Sequence, residues 1–128
     1  MTSIILSVQL ILARYFAPCD IPSVEIVKAI IHHESRGRQY VCREDKNGAS
    51  RGVMQIWRAN TTCNGPDVFN DYDIRSNIVA GMWILAKQSE WHNRNRHTGH
   101  DVLEHYCGKG KSCKKFAKEV REIAYGRN

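Results

Sequence analysis

Apolar residues recur at helical spacing in several stretches of the chain, and one long polar stretch interrupts them. Near the N-terminus Ile4, Ile5, Val8, Ile11, Leu12, Tyr15 and Phe16 fall on one side of a 3.6-residue period, which predicts a first helix. Pro18 and Pro22 separate it from a second, opened by Pro22 or Ser23, whose stripe is Val24, Val27, Ile30 and Ile31 and which ends near residues 34–37. A third, long helix starts at Asp73, with Ile74, Ile78, Met82 and Leu85 on one face and Val79 and Ala86 beside it. Two shorter helices follow, around residues 101–106 and 112–125, joined by CGKGK.

The stretch between the second and third helices is rich in Gly, Asn, Asp and Ser. It reads as loop, with one helical turn at residues 52–58. No run alternates at period two for long enough to predict a strand. With no internal repeat and no linker, the expected architecture is a single domain over residues 1–128, mainly α.

Composition adds three constraints. At 128 residues and 42% hydrophobic content the chain can bury a core, which excludes a disordered tail. The first apolar run has no basic residue before Arg14, carries Ser3, Ser7 and Gln9, and is too short to span a bilayer. It therefore reads as a helix of the fold rather than an export signal, Pro18 argues against lipidation at Cys19, and no stable membrane insertion is expected. Nineteen Lys and Arg against thirteen Asp and Glu give +6, which favours polyanionic partners such as nucleic acid, acidic membranes or anionic cell-wall polymers without choosing among them. The denser basic group at Lys109, Lys111, Lys114, Lys115 and Lys118 is equally a solvated surface.

The odd count of five cysteines, Cys19, Cys42, Cys63, Cys107 and Cys113, leaves at least one unpaired. Cys107 and Cys113 can close a small loop, and Cys42 with Cys63 can staple the segment between them; five free thiols is the alternative reading. A metal is not expected. No Cys-x-x-Cys occurs, and His33-Glu34 begins a zinc-protease pattern that Gly37 breaks where its second histidine is required. His92, His97 and His100 are irregularly spaced in a polar stretch.

Glu34 carries more chemistry. A carboxyl at the end of a helix whose preceding turns are Ile26, Val27, Ile30 and Ile31 lies beside apolar packing and near the negative end of the helix dipole. Both oppose ionisation, which lets a glutamic acid hold its proton near neutral pH and donate it to a leaving oxygen. An ordinary last-turn glutamate open to water is the plainer alternative.

Motifs around Glu34 extend this reading. ES at Glu34 and Ser35, GASRGVMQI from Gly48, NIVAGMWIL from Asn77, HYCG from His105 and FAKEV from Phe116 follow in the order of a known pattern. Over about residues 20 to 122 the chain resembles the lysozyme-like lytic transglycosylase catalytic domain, the family related to goose-type lysozyme. The resemblance implies a lysozyme-like helical domain with a catalytic cleft and Glu34 as its single catalytic acid, followed by the family's serine at Ser35. It implies that Gly48, Ala49, Gly52, Met54, Gln55 and Ile56 line the sugar cleft, that Asn77, Gly81 and Leu85 lie on the helix behind it, and that Tyr106 is the tyrosine close to the carboxyl. Read from the residues alone, Gly48 and Gly52 supply turn dihedrals, Met54 and Leu85 belong to a core, and Asn77 is a helix residue facing solvent. Gln55, a polar amide between Met54 and Ile56, needs a partner if buried, and a sugar hydroxyl or acetamide can be one. Two positions depart from the pattern: Cys107 stands where asparagine is usual, and Arg58 falls near a usual proline.

The implied reaction is cleavage of the bond between N-acetylmuramic acid and N-acetylglucosamine in peptidoglycan glycan strands. Glu34 protonates the glycosidic oxygen and then, as carboxylate, deprotonates the muramic acid C6 hydroxyl, which closes a 1,6-anhydro ring. No cofactor, nucleic acid or partner subunit is implied. A muramidase would instead admit water, with Asp45, Asp71 and Asp73 as candidates for a second acid; a non-catalytic glycan-binding or structural role is the remaining alternative. Trp57 and Tyr40 are available to stack on sugar rings. The implied place of action is the bacterial wall, in the periplasm, as a phage virion or lysis component.

Overall fold

The computed structural model describes residues 1–95, 102–107 and 111–126. Asp101, His97, His100, Lys109 and most of the CGKGK junction lie outside the described residues. The chain divides into two compact units, one formed by Met1–Ala29 with Met82–Asn128 and the other by Ile30–Gly81.

The first unit contains α1 (Thr2–Leu12), a 3-10 turn (Pro18–Asp20), α4 (Val102–Cys107) and α5 (Lys111–Tyr125), together with the start of α2 (Val24–Ser35) and most of α3 (Ile74–Asn95). Spacing explains what each helix buries. α5 places Cys113, Phe116, Ala117 and Val120 inside, the i, i+3, i+4, i+7 set of one face. α1 buries Ile5, Val8 and Leu12, a narrower stripe than its run of apolar residues predicts, since Ile11 and Tyr15 are exposed. Trp83 of α3 meets the rings of Tyr15 and Phe16 edge-on, with centroids 5.5 and 4.9 Å away. Asp20 is buried because it is satisfied: its Oδ1 accepts hydrogen bonds from Ser89 Oγ at 2.9 Å and from the Asn93 amide. A Cys107–Cys113 disulfide joins α4 to α5.

α2 begins at Ser23, whose Oγ accepts the N–H of Ile26 at 3.2 Å. It ends after Ser35, where Arg36 and Gly37 take φ of 55° and 78°. Gly37 adopts that left-handed conformation at no steric cost and turns the chain out of the helix.

The second unit is built on three short antiparallel strands in the order β1 (Cys42–Glu44), β2 (Gly48–Arg51), β3 (Ile56–Ala59). Arg43 pairs with Ser50, and Ser50 with Trp57. Asp45 shapes the β1–β2 turn by accepting the N–H groups of Asn47 (2.7 Å) and Gly48 (2.8 Å). Gly48 has no room for a side chain, since an added Cβ would strike the Arg58 carbonyl and the Trp57 ring. A Cys42–Cys63 disulfide ties β1 to the loop after β3. For a loop of this length such a bond stabilises by about 3 kcal/mol.

This sheet corrects the expected fold class. The chain is a mixed structure of helices, a three-stranded antiparallel sheet and two disulfides, not the mainly α, lysozyme-like helical domain that periodicity and resemblance implied. The physical reason lies in strand length. Strands of three and four residues cannot display a period-two pattern, and three of the four β2 residues, Gly48, Ala49 and Arg51, are buried, so alternation is absent even where pairing is regular. The helical turn expected at residues 52–58 is also absent: a turn at residues 52–55 leads directly into β3. No described helix is long and apolar enough to cross a membrane.

Candidate functional site

The second unit brings together most of the residues singled out by the motifs. Asn77, on the first turns of α3, is fully buried and works as a three-way tie. Its Oδ1 accepts the N–H of Met54 at 2.7 Å, and its Nδ2 donates to the carbonyls of Arg51 and Asp71, each at 2.8 Å. The amide is therefore a structural link rather than a solvent-facing group. It holds the segment between β2 and β3 against α3. Gly52 permits this approach twice over: its φ is 82°, and an added Cβ would overlap the Asn77 amide and the Asp71 carbonyl. Gly81 does the same one turn on, leaving space that the Met54 thioether fills.

Ser35 fixes the end of α2 to this segment. Its hydroxyl donates to the Val53 carbonyl at 2.8 Å and accepts the N–H of Gly37 at 3.1 Å, inside a site where Ser35 is 1% exposed. Val53, Met54 and Ile56 are buried beside it. Gln55 has φ of 54°, a conformation that costs a residue with a side chain of order 1 kcal/mol. Its Nε2 donates to the carbonyls of Val41 (3.0 Å) and Gly52 (2.9 Å), so both amide hydrogens are engaged within the protein. Its Oε1 is buried with no hydrogen-bond partner among the described residues.

Glu34 precedes Ser35 and inherits its fixed position. The carboxyl is half-buried, with 21% of its side chain exposed. Burial pushes it above the ordinary glutamate range, and the nearby charges of His33 and Arg43 pull it back without cancelling the rise. The two neighbours take one carboxylate oxygen each. His33 Nδ1 is 3.8 Å from Oε1, and Arg43 Nη1 is 3.6 Å from Oε2.

These two neighbours are what the residue patterns do not reveal. Adjacent residues point to different sides of a helix, so nothing marks His33 as a partner of Glu34. Arg43 reaches the carboxyl only because β1 runs back past the end of α2, and β1 is too short to be read in advance.

The three candidates for a second acid are occupied. Asp71 is buried and paired with Arg58, which donates through Nε at 2.9 Å and Nη2 at 3.1 Å while its guanidinium lies over the Phe69 ring. Asp73 caps α3 by accepting the N–H of Ser76 at 2.9 Å, which holds its carboxyl below the usual range. Asp45 accepts the turn N–H groups and, on Oδ2, the Trp57 indole at 3.2 Å. Trp57 and Tyr40 are exposed, the latter packed against Tyr72 with centroids 5.7 Å apart. Tyr106 and Leu85 belong to the first unit, where the Tyr106 ring stacks on Phe116 at 6.3 Å and Cys107 bridges to Cys113. Among the described residues no group of three or more His, Cys, Asp or Glu side chains is placed to hold a metal ion.

No family model matches the chain, and no curated protein and no solved structure is significantly similar to it.

The raised Glu34 has a consequence for stability. Below the ordinary value of 4.5 the group is protonated whether the chain is folded or not, and it contributes its full stability. As pH rises through the raised folded value, the unfolded chain ionises more readily and that contribution is lost. Glu34→Gln, which keeps shape and removes the charge, is therefore expected to melt higher than the unsubstituted protein at neutral pH. At about pH 4 the difference should vanish. Thermal melts at the two pH values check this, and equal melting temperatures at neutral pH contradict it.

Proposed function

We propose that this protein cleaves peptidoglycan glycan strands between N-acetylmuramic acid and N-acetylglucosamine, with Glu34 as the single general acid and then base. The observation that carries the reading is a half-buried carboxyl shifted toward its protonated form at the end of α2. A proton held there is available to a glycosidic oxygen, and general acid catalysis of this kind contributes roughly 10²–10⁴-fold in rate. After the leaving group departs, the same group, now a carboxylate, is the base that takes the proton of the attacking hydroxyl.

Asp45, Asp71 and Asp73 are each committed to turns, caps or an ion pair, which supports a mechanism without a second carboxylate. Both routes of two-carboxylate glycoside hydrolysis need one, either as nucleophile or as base for water. The muramic acid C6 hydroxyl needs none, because it is already held on the substrate and attacks C1 as Glu34 takes its proton. The product is a 1,6-anhydro end. The order of the ES, GASRGVMQI and NIVAG motifs, similar to that of lytic transglycosylases, supports the same chemistry. The reaction needs no cofactor, acts on the bacterial wall, and suits a phage virion or lysis component working as a monomer.

Incubation with purified sacculi tests the reading. Soluble muropeptides should be released, with a rate that falls as pH rises through the Glu34 titration. Binding to sacculi with no release at any pH would instead favour a glycan-binding or structural role.

A further inference from the structure

We propose that Arg43 is a specificity-determining residue of this site: a carboxylate on the substrate draws its guanidinium away from Glu34, and the acid then holds its proton more firmly. This rests on the reading of Glu34 as the acid.

Arg43 occupies the middle of β1, where pairing with Ser50 fixes its backbone. Its side chain is 58% exposed, and its Nη1 stands 3.6 Å from Glu34 Oε2, outside hydrogen-bonding distance. Such a through-space pair at the surface is weak and is given up at little cost. The acid next to it does not compete, since Glu44 Oε1 accepts the N–H of Cys63 at 2.7 Å. His33 from α2 faces the other oxygen of Glu34, so departure of Arg43 removes the charge on one side alone.

A planar guanidinium that meets its own carboxylate only at a distance is suited to a better one. A substrate carboxylate free to approach in the plane can accept two parallel hydrogen bonds from it, which Glu34 does not. Peptidoglycan carries such groups on its stem peptides and on the lactyl ether of unsubstituted muramic acid, whereas a neutral glycan has none. Loss of the Arg43 charge beside Glu34 favours protonation, so binding of an anionic strand arms the acid that cleaves it.

The test compares glycan strands bearing free carboxylates with the same strands after chemical amidation. For the unsubstituted enzyme on free-carboxylate strands, the high-pH limb of kcat should lie at higher pH than that of kcat/KM, since kcat reports the bound enzyme and kcat/KM the free one. On amidated strands the two limbs should coincide. In Arg43→Gln they should coincide on both substrates, and the preference for free-carboxylate strands should fall about ten-fold, the worth of a charge-assisted hydrogen bond. Arg43→Lys should restore part of that preference, which a change that merely perturbed folding would not. Coincident limbs in the active enzyme on free-carboxylate strands, or an undiminished preference in Arg43→Gln, overturn this inference alone. Absence of cleavage by the unsubstituted protein on either substrate overturns the catalytic reading as well.

Discussion

Glu34→Gln is expected to abolish release of soluble fragments from purified sacculi while leaving the protein folded. Glutamine preserves the volume at the end of α2 and leaves the Ser35 link to Val53 untouched, so the scaffold around the site should not change. What it cannot do is transfer a proton to the glycosidic oxygen or take one from an attacking hydroxyl. Because both halves of the proposed reaction use the one group, the loss should reach the upper end of the 10²–10⁴-fold range for a general acid, or exceed it. Turbidity of a sacculus suspension, with circular dichroism as the check on folding, measures it. A variant that clears sacculi at the original rate contradicts the assignment of Glu34.

Asn77→Ala should be the most damaging substitution away from the carboxyl. It removes three hydrogen bonds and strands the Met54 N–H and the Arg51 and Asp71 carbonyls in a buried site. A buried polar group left unsatisfied costs about 1–3 kcal/mol, so a total near 3 kcal/mol is a conservative expectation, equivalent to roughly 10 °C in melting temperature at this size. Denaturant unfolding of the variant measures it. A loss below about 1 kcal/mol would mean that Asn77 is not the tie between α3 and the turn at residues 52–55.

The helices were readable because burial imposes a period and the period survives in the residues. Val27, Ile30 and Ile31 of α2, and Ile78, Met82 and Leu85 of α3, are buried where their spacing predicts. The sheet was not readable. Pairing in β1 to β3 is fixed by the Asp45 turn, by glycine at position 48 and by the Cys42–Cys63 bond, none of which leaves a repeating mark on the chain.

At the site, the position of Glu34 beside apolar turns was legible from its place after Ile30 and Ile31, and the direction in which burial moves its titration follows from that place. The electrostatic detail was not, because it depends on Arg43, brought back by a strand of three residues. Gln55 shows a different limit. A polar amide between two buried apolar residues must find a partner, but the chain does not announce that its Nε2 meets the carbonyls of Val41 and Gly52. Arg58 and Asp71 likewise have separate meanings until the fold pairs them.

Mass spectrometry of the fragments released from purified peptidoglycan tests the central claim most directly. A single carboxyl serving as acid and base, with the muramic acid C6 hydroxyl as nucleophile, predicts muropeptides that end in 1,6-anhydro-N-acetylmuramic acid, each lighter by one water than its hydrolytic counterpart. Fragments that carry reducing ends throughout would contradict the account, since water would then complete the reaction and a second group would have to activate it.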